Sequence, residues 1–337
     1  MHIIDFRSDT VTKPTQPMLE AMMAANVGDD VYQDDPTVIE LQRLGANLLG
    51  FEDALFVASG TMGNQLAIMT HTQRGDEVIV HKDAHVIAHE VGAIAVLSGA
   101  NTMLSHNPKG YLDASDIRQL IRHQDIHTPT TSLVVLENAL SNGSVVPYQE
   151  FSDAVHQAKQ HGLFIHLDGA RLFNAAIAYQ MPVTELTHMM DSCMFCLSKG
   201  LGAPIGSLLC GSKSFIDKAR KNRKLLGGGW RQAGILAAAG IYALNHHIER
   251  LSEDHQLARL LEDKLAEHPQ LKIHRGDINM IYVTVHEGFN HAQFEQLCKE
   301  QGILINPASH GTYRFVTHLH HQEYDIDRLA DIIYMMI

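Results

Sequence analysis

Hydrophobic positions along the 337-residue chain come in two rhythms. Short runs rich in β-branched and aliphatic residues predict buried strands: "DEVIVH" (76–81), "TSLVVLEN" (131–138), "LFIHLDGA" (163–170) and "DSCMFCLS" (191–198). Between two of them, "SDAVHQAKQHG" (152–162) reads as a helix opened by a serine cap and closed by glycine. Strands that alternate with helices indicate an α/β unit with a mostly parallel sheet. Such sheets take ligands at the carboxyl ends of their strands. "DGAR" (168–171) and "SKG" (198–200) fall there.

Beyond about Gly240 the rhythm changes. Residues 242–268 carry apolar side chains at helical spacing and predict one long amphipathic helix. "INMIYVTV" (278–285) and "YRFVTH" (313–318) predict short strands, with "HAQFEQLCKEQG" (291–302) a helix between them. The expected division is a large domain over residues 1–240 and a small α+β domain over 241–337.

Composition narrows the classes. Hydrophobic residues make up 45% and charged residues 19%, as in globular proteins with ample core. A net charge of -12 argues against binding nucleic acid or anionic membrane. No apolar run reaches the length of a bilayer span. "MHIIDFRSDTVTKP" lacks the basic and apolar regions of a secretory signal, so a cytoplasmic location is expected. Cys193 and Cys196 form a C-x-x-C without a second pair at metal-ligand spacing. They read as inert core thiols.

Lys199 ends one apolar strand and Asp168 ends another. Each charge is costly there unless it meets an opposite one. Alone, Asp168 reads as readily as a structural group, an ion pair to Arg171 or a helix cap, as it does as a functional one. Upstream, "ASGTMGNQLAIM" (58–69) sets Ser59, Gly60 and Thr61 at the start of an apolar helical run, a natural phosphate site, although a bare helix start reads the same way. It is neither a Walker loop nor a dinucleotide fingerprint. A phosphate cup, a strand-end carboxylate and a strand-end lysine together suit pyridoxal 5'-phosphate, with lysine as Schiff-base residue and aspartate at the ring nitrogen. A rival pattern is the spacing by four of His81, His85 and His89, with Glu90 alongside. On one helix face they could hold a metal for hydrolysis, but "DEVIVH" reads as strand and takes His81 off that face.

The chain closely resembles the L-threonine aldolases, in the fold-type-I (aspartate aminotransferase-like) group of pyridoxal-phosphate enzymes. The resemblance covers nearly the whole length. It rests on the order and spacing of "DFRSDTVTKPT" (5–15), "DDVYQDDPTVIELQ" (29–42), "ASGTMGNQ" (58–65), "AHVIAHEVG" (84–92), "HLDGARLFNA" (166–175), "LSKGLGAPIGS" (197–207), "GGGWRQAG" (227–234) and "YRFVTH" (313–318). It implies cleavage of L-threonine or L-allo-threonine to glycine and acetaldehyde, with other β-hydroxy-α-amino acids as further substrates. A β-eliminating lyase shares the fold and is the alternative.

By the same resemblance Lys199 bears the cofactor, Asp168 meets the ring nitrogen, Gly60 and Thr61 hold the phosphate, and His85 stacks on the ring. Ser8, Arg171 and Arg314 bind the substrate carboxylate and the cofactor's polar edge. Lys224 and Arg231, from the basic stretch 218–234, lie near the phosphate, of this or a neighbouring subunit. His85 and His127 are the candidates for the base at the β-hydroxyl, although His127 sits in a polar loop and reads as readily as a solvated histidine. The resemblance also implies a homo-oligomer, a dimer of dimers, with no metal in the site. One departure stands out: the family commonly has "ENT" followed by a pair of glycines, where this chain has "ENALSNGSVVP" (137–147). A different loop shape near the substrate is expected.

Overall fold

The computed structural model describes residues 3–123 and 125–337. Its centre is a seven-stranded sheet made of β2 (Asp53–Val57), β3 (Glu77–His81), β4 (Asn101–Ser105), β5 (Thr131–Glu137), β6 (Phe164–Asp168), β7 (Ser192–Cys196) and β8 (Ser207–Gly211). The spatial order is β2-β8-β7-β6-β5-β3-β4. The four strands expected from the sequence, β7, β6, β5 and β3, are the adjacent middle of this sheet and run parallel. Helices cover both of their faces, so nearly every position is buried and the strands read as unbroken apolar runs. β2 and β8 pair antiparallel with each other, and β8 pairs antiparallel with β7.

Two expected helices differ in extent. The helix placed at 152–162 begins earlier, as Tyr148–Gln160, after Pro147. Tyr148 packs edge-on against Tyr179 and Phe151 is buried, so these contacts recruit the extra turn, and Ser152 lies inside the helix rather than capping it. The long helix expected over 242–268 is two, Gly234–His246 and Leu251–Leu265. Between them the His247 ring bonds the Leu201 carbonyl at 2.8 Å, which ties the break to the loop after Lys199. The first helix packs on Pro36–Leu49 and the second on the C-terminal helix Glu323–Met336.

A second core gathers Leu261, Ile281, Phe294, Phe315 and Leu329 around the antiparallel sheet of β9 (Leu271–Arg275), β10 (Met280–Val285) and β12 (Thr312–Val316). The start of the chain joins it: β1 (Ile4–Asp5) pairs in parallel with β11 (Ile303–Leu304), and Phe6 is fully buried there. The next residues, 7–12, are thereby stretched between the second core and the carboxyl edge of the large sheet.

Candidate active site

Asp168 is the last residue of β6 and is 2% exposed. One carboxylate oxygen accepts from Asn64 Nδ2 at 2.8 Å and the other from the Ala170 backbone N–H at 3.1 Å. Burial pushes this carboxyl up, and Glu90 adds to that, while Lys199 and His85 oppose it. A buried carboxylate with a lysine opposing its shift is the pattern that marks a candidate functional site.

Asn64 comes from the helix Gly60–His71, where a polar side chain interrupts an apolar face. Its amide also donates to Glu90 at 2.9 Å. Gln65 donates to the other Glu90 oxygen at 2.6 Å, and His85 donates its Nδ1 proton to Glu90 at 2.8 Å. The His85 backbone N–H is held by Glu137, whose other oxygen takes the Ser141 hydroxyl. His85 is thus fixed over the crevice with Nε2 left to act. The Glu90 hydrogen bond raises the His85 pKa above its ordinary value, burial opposes this, and the Asp168 charge supports it.

The start of the Gly60–His71 helix faces the same crevice. Ser59 Oγ takes the Met62 N–H, and the Ser59 carbonyl takes that of Gly63. The N–H groups of Gly60 and Thr61 remain for an anion. A side chain at Gly60 would come within 2.9 Å of Cys196 Sγ, so glycine lets the helix seat against the end of β7.

Lys199 follows β7 by three residues and is half-buried. Its backbone carbonyl receives the Thr12 hydroxyl at 3.2 Å, and its charge acts on both Asp168 and Asp9. Arg171 pairs with Asp9, through bonds of 2.8 and 2.6 Å, and not with its near neighbour Asp168. Ser8 caps the short turn Asp9–Val11 beside it. Arg314 lies within β12, opposite Tyr282 of β10, and donates to the Arg7 carbonyl at 3.2 Å. Arg171 and Arg314 both bear on Tyr282. Residues 7–12 therefore draw Ser8, Arg171, Lys199 and Arg314 into one neighbourhood. Asp9 and Asn64 were not singled out in the sequence. An acid in the polar run "RSDT" and an amide in an apolar helix are faint signals.

Three expected residues are not assembled with these. His127 is exposed in the turn before β5, at the amino edge of the sheet, while Glu137 and Asp168 sit at the carboxyl edge. β5 spans about 20 Å between those edges. Arg231 is paired with Asp29 at 2.9 Å, and exposed Lys224 lines, with Arg220 and Lys221, a cavity of about 510 Å³. Gly228 joins that region to Met62, two residues from Gly60.

His81 lies off the helix that carries His85, as the strand pattern of "DEVIVH" predicts. His81 is in β3 and bonds the Asn107 carbonyl, while His85 begins a short helix and His89 caps its end in an exposed position. They share no helix face. Among the described residues, the ligand-type atoms that converge belong to His85, Glu90 and Asp168, within 4.8 Å of one another. Asn64, Gln65 and His85 already supply the donors these carboxylates need. The cysteines are buried free thiols, and burial drives Cys193 far up, which leaves it inert.

Residues 5–288 match the family model for beta-eliminating lyases. The low specificity L-threonine aldolase of Escherichia coli (strain K12) is 45% identical over 94% of this chain and 94% of its own length. The probable low-specificity L-threonine aldolase 2 of Arabidopsis thaliana is 41% identical over 96% of this chain and 94% of its own. The chain belongs to the L-threonine aldolase family. Threonine aldolase from Leishmania major superimposes with a TM-score of 0.85 at 22% identity, covering 99% of this chain and 100% of that one. A protein described as SPT with PLP superimposes with a TM-score of 0.77 at 18% identity, covering 99% of this chain and 87% of that one. The architecture is fold-type I.

Proposed function

We propose that this crevice binds pyridoxal 5'-phosphate and splits L-threonine and L-allo-threonine into glycine and acetaldehyde, with other β-hydroxy-α-amino acids as further substrates. The observation that carries the reading is Asp168, buried at a strand end and opposed by Lys199. The residues fit the cofactor. Gly60 and Thr61 offer unpaired N–H groups to its phosphate, Asp168 an acceptor to its ring nitrogen, Lys199 an amine to its aldehyde, and His85 a flat face to its ring.

When bound, the cofactor supplies a sink for the electron pair released as the Cα–Cβ bond breaks. The protein does the rest. Arg314, with Arg171 behind it, orients the substrate carboxylate. Arg171 acts at close range to Asp9, so its free edge is what remains for substrate. His85 Nε2 takes the β-hydroxyl proton, with Glu90 stabilising the charge that the ring acquires. Lys199, whose amine would hold the cofactor, would also be the group placed to move a proton at the substrate Cα. His127 can reach a substrate only from a second copy of the chain, and a homo-oligomer, a dimer of dimers, is part of this proposal. Lys224 and Arg231 are assigned to the phosphate side on the same footing.

The proposed domains are residues 1–240 and 241–337; the core of the large sheet also takes in Ala243, Leu244, Leu251, Ile278, Met280 and Val316, and the second core takes in Ile4 and Phe6. No helix is long and apolar enough to cross a membrane among the described residues. The proposed setting is cytoplasmic. Quantifying products from both threonine diastereomers tests the reaction: equal glycine and acetaldehyde support it, whereas ammonia with 2-oxobutanoate assigns the eliminating branch.

A further inference from the structure

Behind Asp168 a file of buried polar side chains crosses the sheet. His166 and Asp168 stand two apart on β6 and share a face, and Ser192 is the register partner of His166 on β7. The helix Gly60–His71 lies over that face and contributes Asn64 and, seven residues on, His71. His71 Nε2 and His166 Nδ1 each lie 2.8 Å from Ser192 Oγ. His166 Nε2 lies 3.1 Å from Asn64 Oδ1. His71 is clamped between Phe164 and Phe215, with ring centroids 4.8 and 4.5 Å away. It lines a groove of about 360 Å³ at the amino edge of the sheet.

The donors in this file have one consistent order. Asn64 faces two carboxylates, so both its amide hydrogens are spent on Asp168 and Glu90 and its oxygen must accept. His166 therefore carries its proton on Nε2, and its Nδ1 must accept from the Ser192 hydroxyl. The Ser192 oxygen is then left to accept from His71 Nε2. Every hydrogen from His71 to Asn64 points toward the two carboxylates, Asp168 and Glu90. The order requires neutral imidazoles. Burial depresses His71 to about 4, with Lys159 and Lys218 adding to this and Asp191 opposing it. Burial, with His71 alongside, depresses His166 to about 3.

We propose that His71, Ser192 and His166 form a one-directional hydrogen-bond relay that locks Asn64 as double donor to Asp168 and Glu90, and so positions Asp168 as an ionised acceptor for the cofactor's ring nitrogen. This rests on the cofactor reading above. None of the three touches the reacting atoms; they act through Asn64. Without the His166 donor the Asn64 oxygen is left unpaired in the core, and the amide gains a reason to turn away from the carboxylates.

The test uses the holoenzyme and pyridoxal 5'-phosphate, with occupancy and the pH profile read from its visible band. Glutamine places an amide nitrogen near the His166 Nε2 position and asparagine near Nδ1. His166→Asn is expected to weaken cofactor binding about tenfold, shift the pH profile of the visible band and lower kcat about tenfold with KM changed less, while His166→Gln restores most of each. Ser192→Ala removes a hydroxyl that contacts neither cofactor nor Asp168, and is expected to weaken cofactor binding roughly three- to fivefold and to shift the profile the same way. Equal behaviour of the asparagine and glutamine variants, or a wild-type affinity and pH profile in Ser192→Ala, overturns the relay. Wild-type protein that takes up no cofactor overturns instead the reading on which the relay rests.

Discussion

Asp9 and Arg171, separated by 162 residues in sequence, grip each other through two hydrogen bonds at the edge of the crevice. Asp9 is fully buried and Arg171 nearly so. Burial raises the Asp9 carboxyl, but the Arg171 charge and hydrogen bond, with Lys199 beyond, outweigh it and hold the pKa at about 2. The pair fixes the N-terminal segment to the sheet and sets which guanidinium edge is left open to the crevice.

Asp9→Asn is accordingly expected to destabilise the protein by about 3 kcal/mol, because it strands a buried charge, and to raise KM for threonine. Thermal denaturation and steady-state kinetics check it. The sign with pH follows from the lowered pKa. The pair's contribution is present above the ordinary carboxyl value of 3.8 and is lost as pH falls toward about 2.

Catalysis should carry the signature of His85. As a base it works unprotonated, and its pKa is raised chiefly by the Glu90 hydrogen bond. The acid limb of kcat/KM is therefore expected above pH 6.5, the ordinary histidine value. Glu90→Gln should move that limb to lower pH, whatever fraction of the variant folds. A limb that stays in place would remove His85 as the titrating group.

Acid stability should trace to buried neutral histidines. His255 accepts from Asn174 at 3.1 Å, and burial with Arg259 nearby lowers it from 6.5 to about 4. A lowered histidine favours folding above its unfolded pKa. The stability it provides is thus lost as pH drops from about 6.5 toward about 4. His255→Gln keeps an acceptor without titrating. Its melting temperature should fall less steeply across that window than that of the wild type, by differential scanning calorimetry.

Much of this was legible from the chain. The four middle strands announced themselves because both faces are buried, and Lys199, Asp168 and Gly60 stood out at strand ends and a helix start, while His85 entered this site only through the family resemblance. Edge strands such as β4, half exposed, left weak patterns. The break at His247–Arg250 was hidden because helical periodicity runs on through it and only the tertiary bond to Leu201 explains it. Asp9 and Asn64 were missed because each gains its meaning from a partner about a hundred or more residues away. The departure at "ENALSNG" forms a turn in which Leu140 and Ser144 pair, and Asp277 bonds both Gly143 and Val145, docking the loop on the turn between β9 and β10.

His127 offers a test of placement. Because it lies at the amino edge of the sheet, His127→Ala should leave cofactor affinity at the wild-type level in a spectrophotometric titration. Any effect on turnover should disappear when the oligomer is dissociated. Loss of cofactor on that substitution would contradict the position described for it.

The central claim is that the chemistry is seated where the end of β7 meets Asp168, on Lys199. Borohydride reduction of the holoenzyme fixes the cofactor to whichever amine holds it, and peptide mapping by mass spectrometry then reads the position. The expected result is a pyridoxyl group on Lys199, in the peptide containing "LSKGLGAPIG". A group found on Lys224 or another lysine, or no labelled peptide at all, would contradict the account.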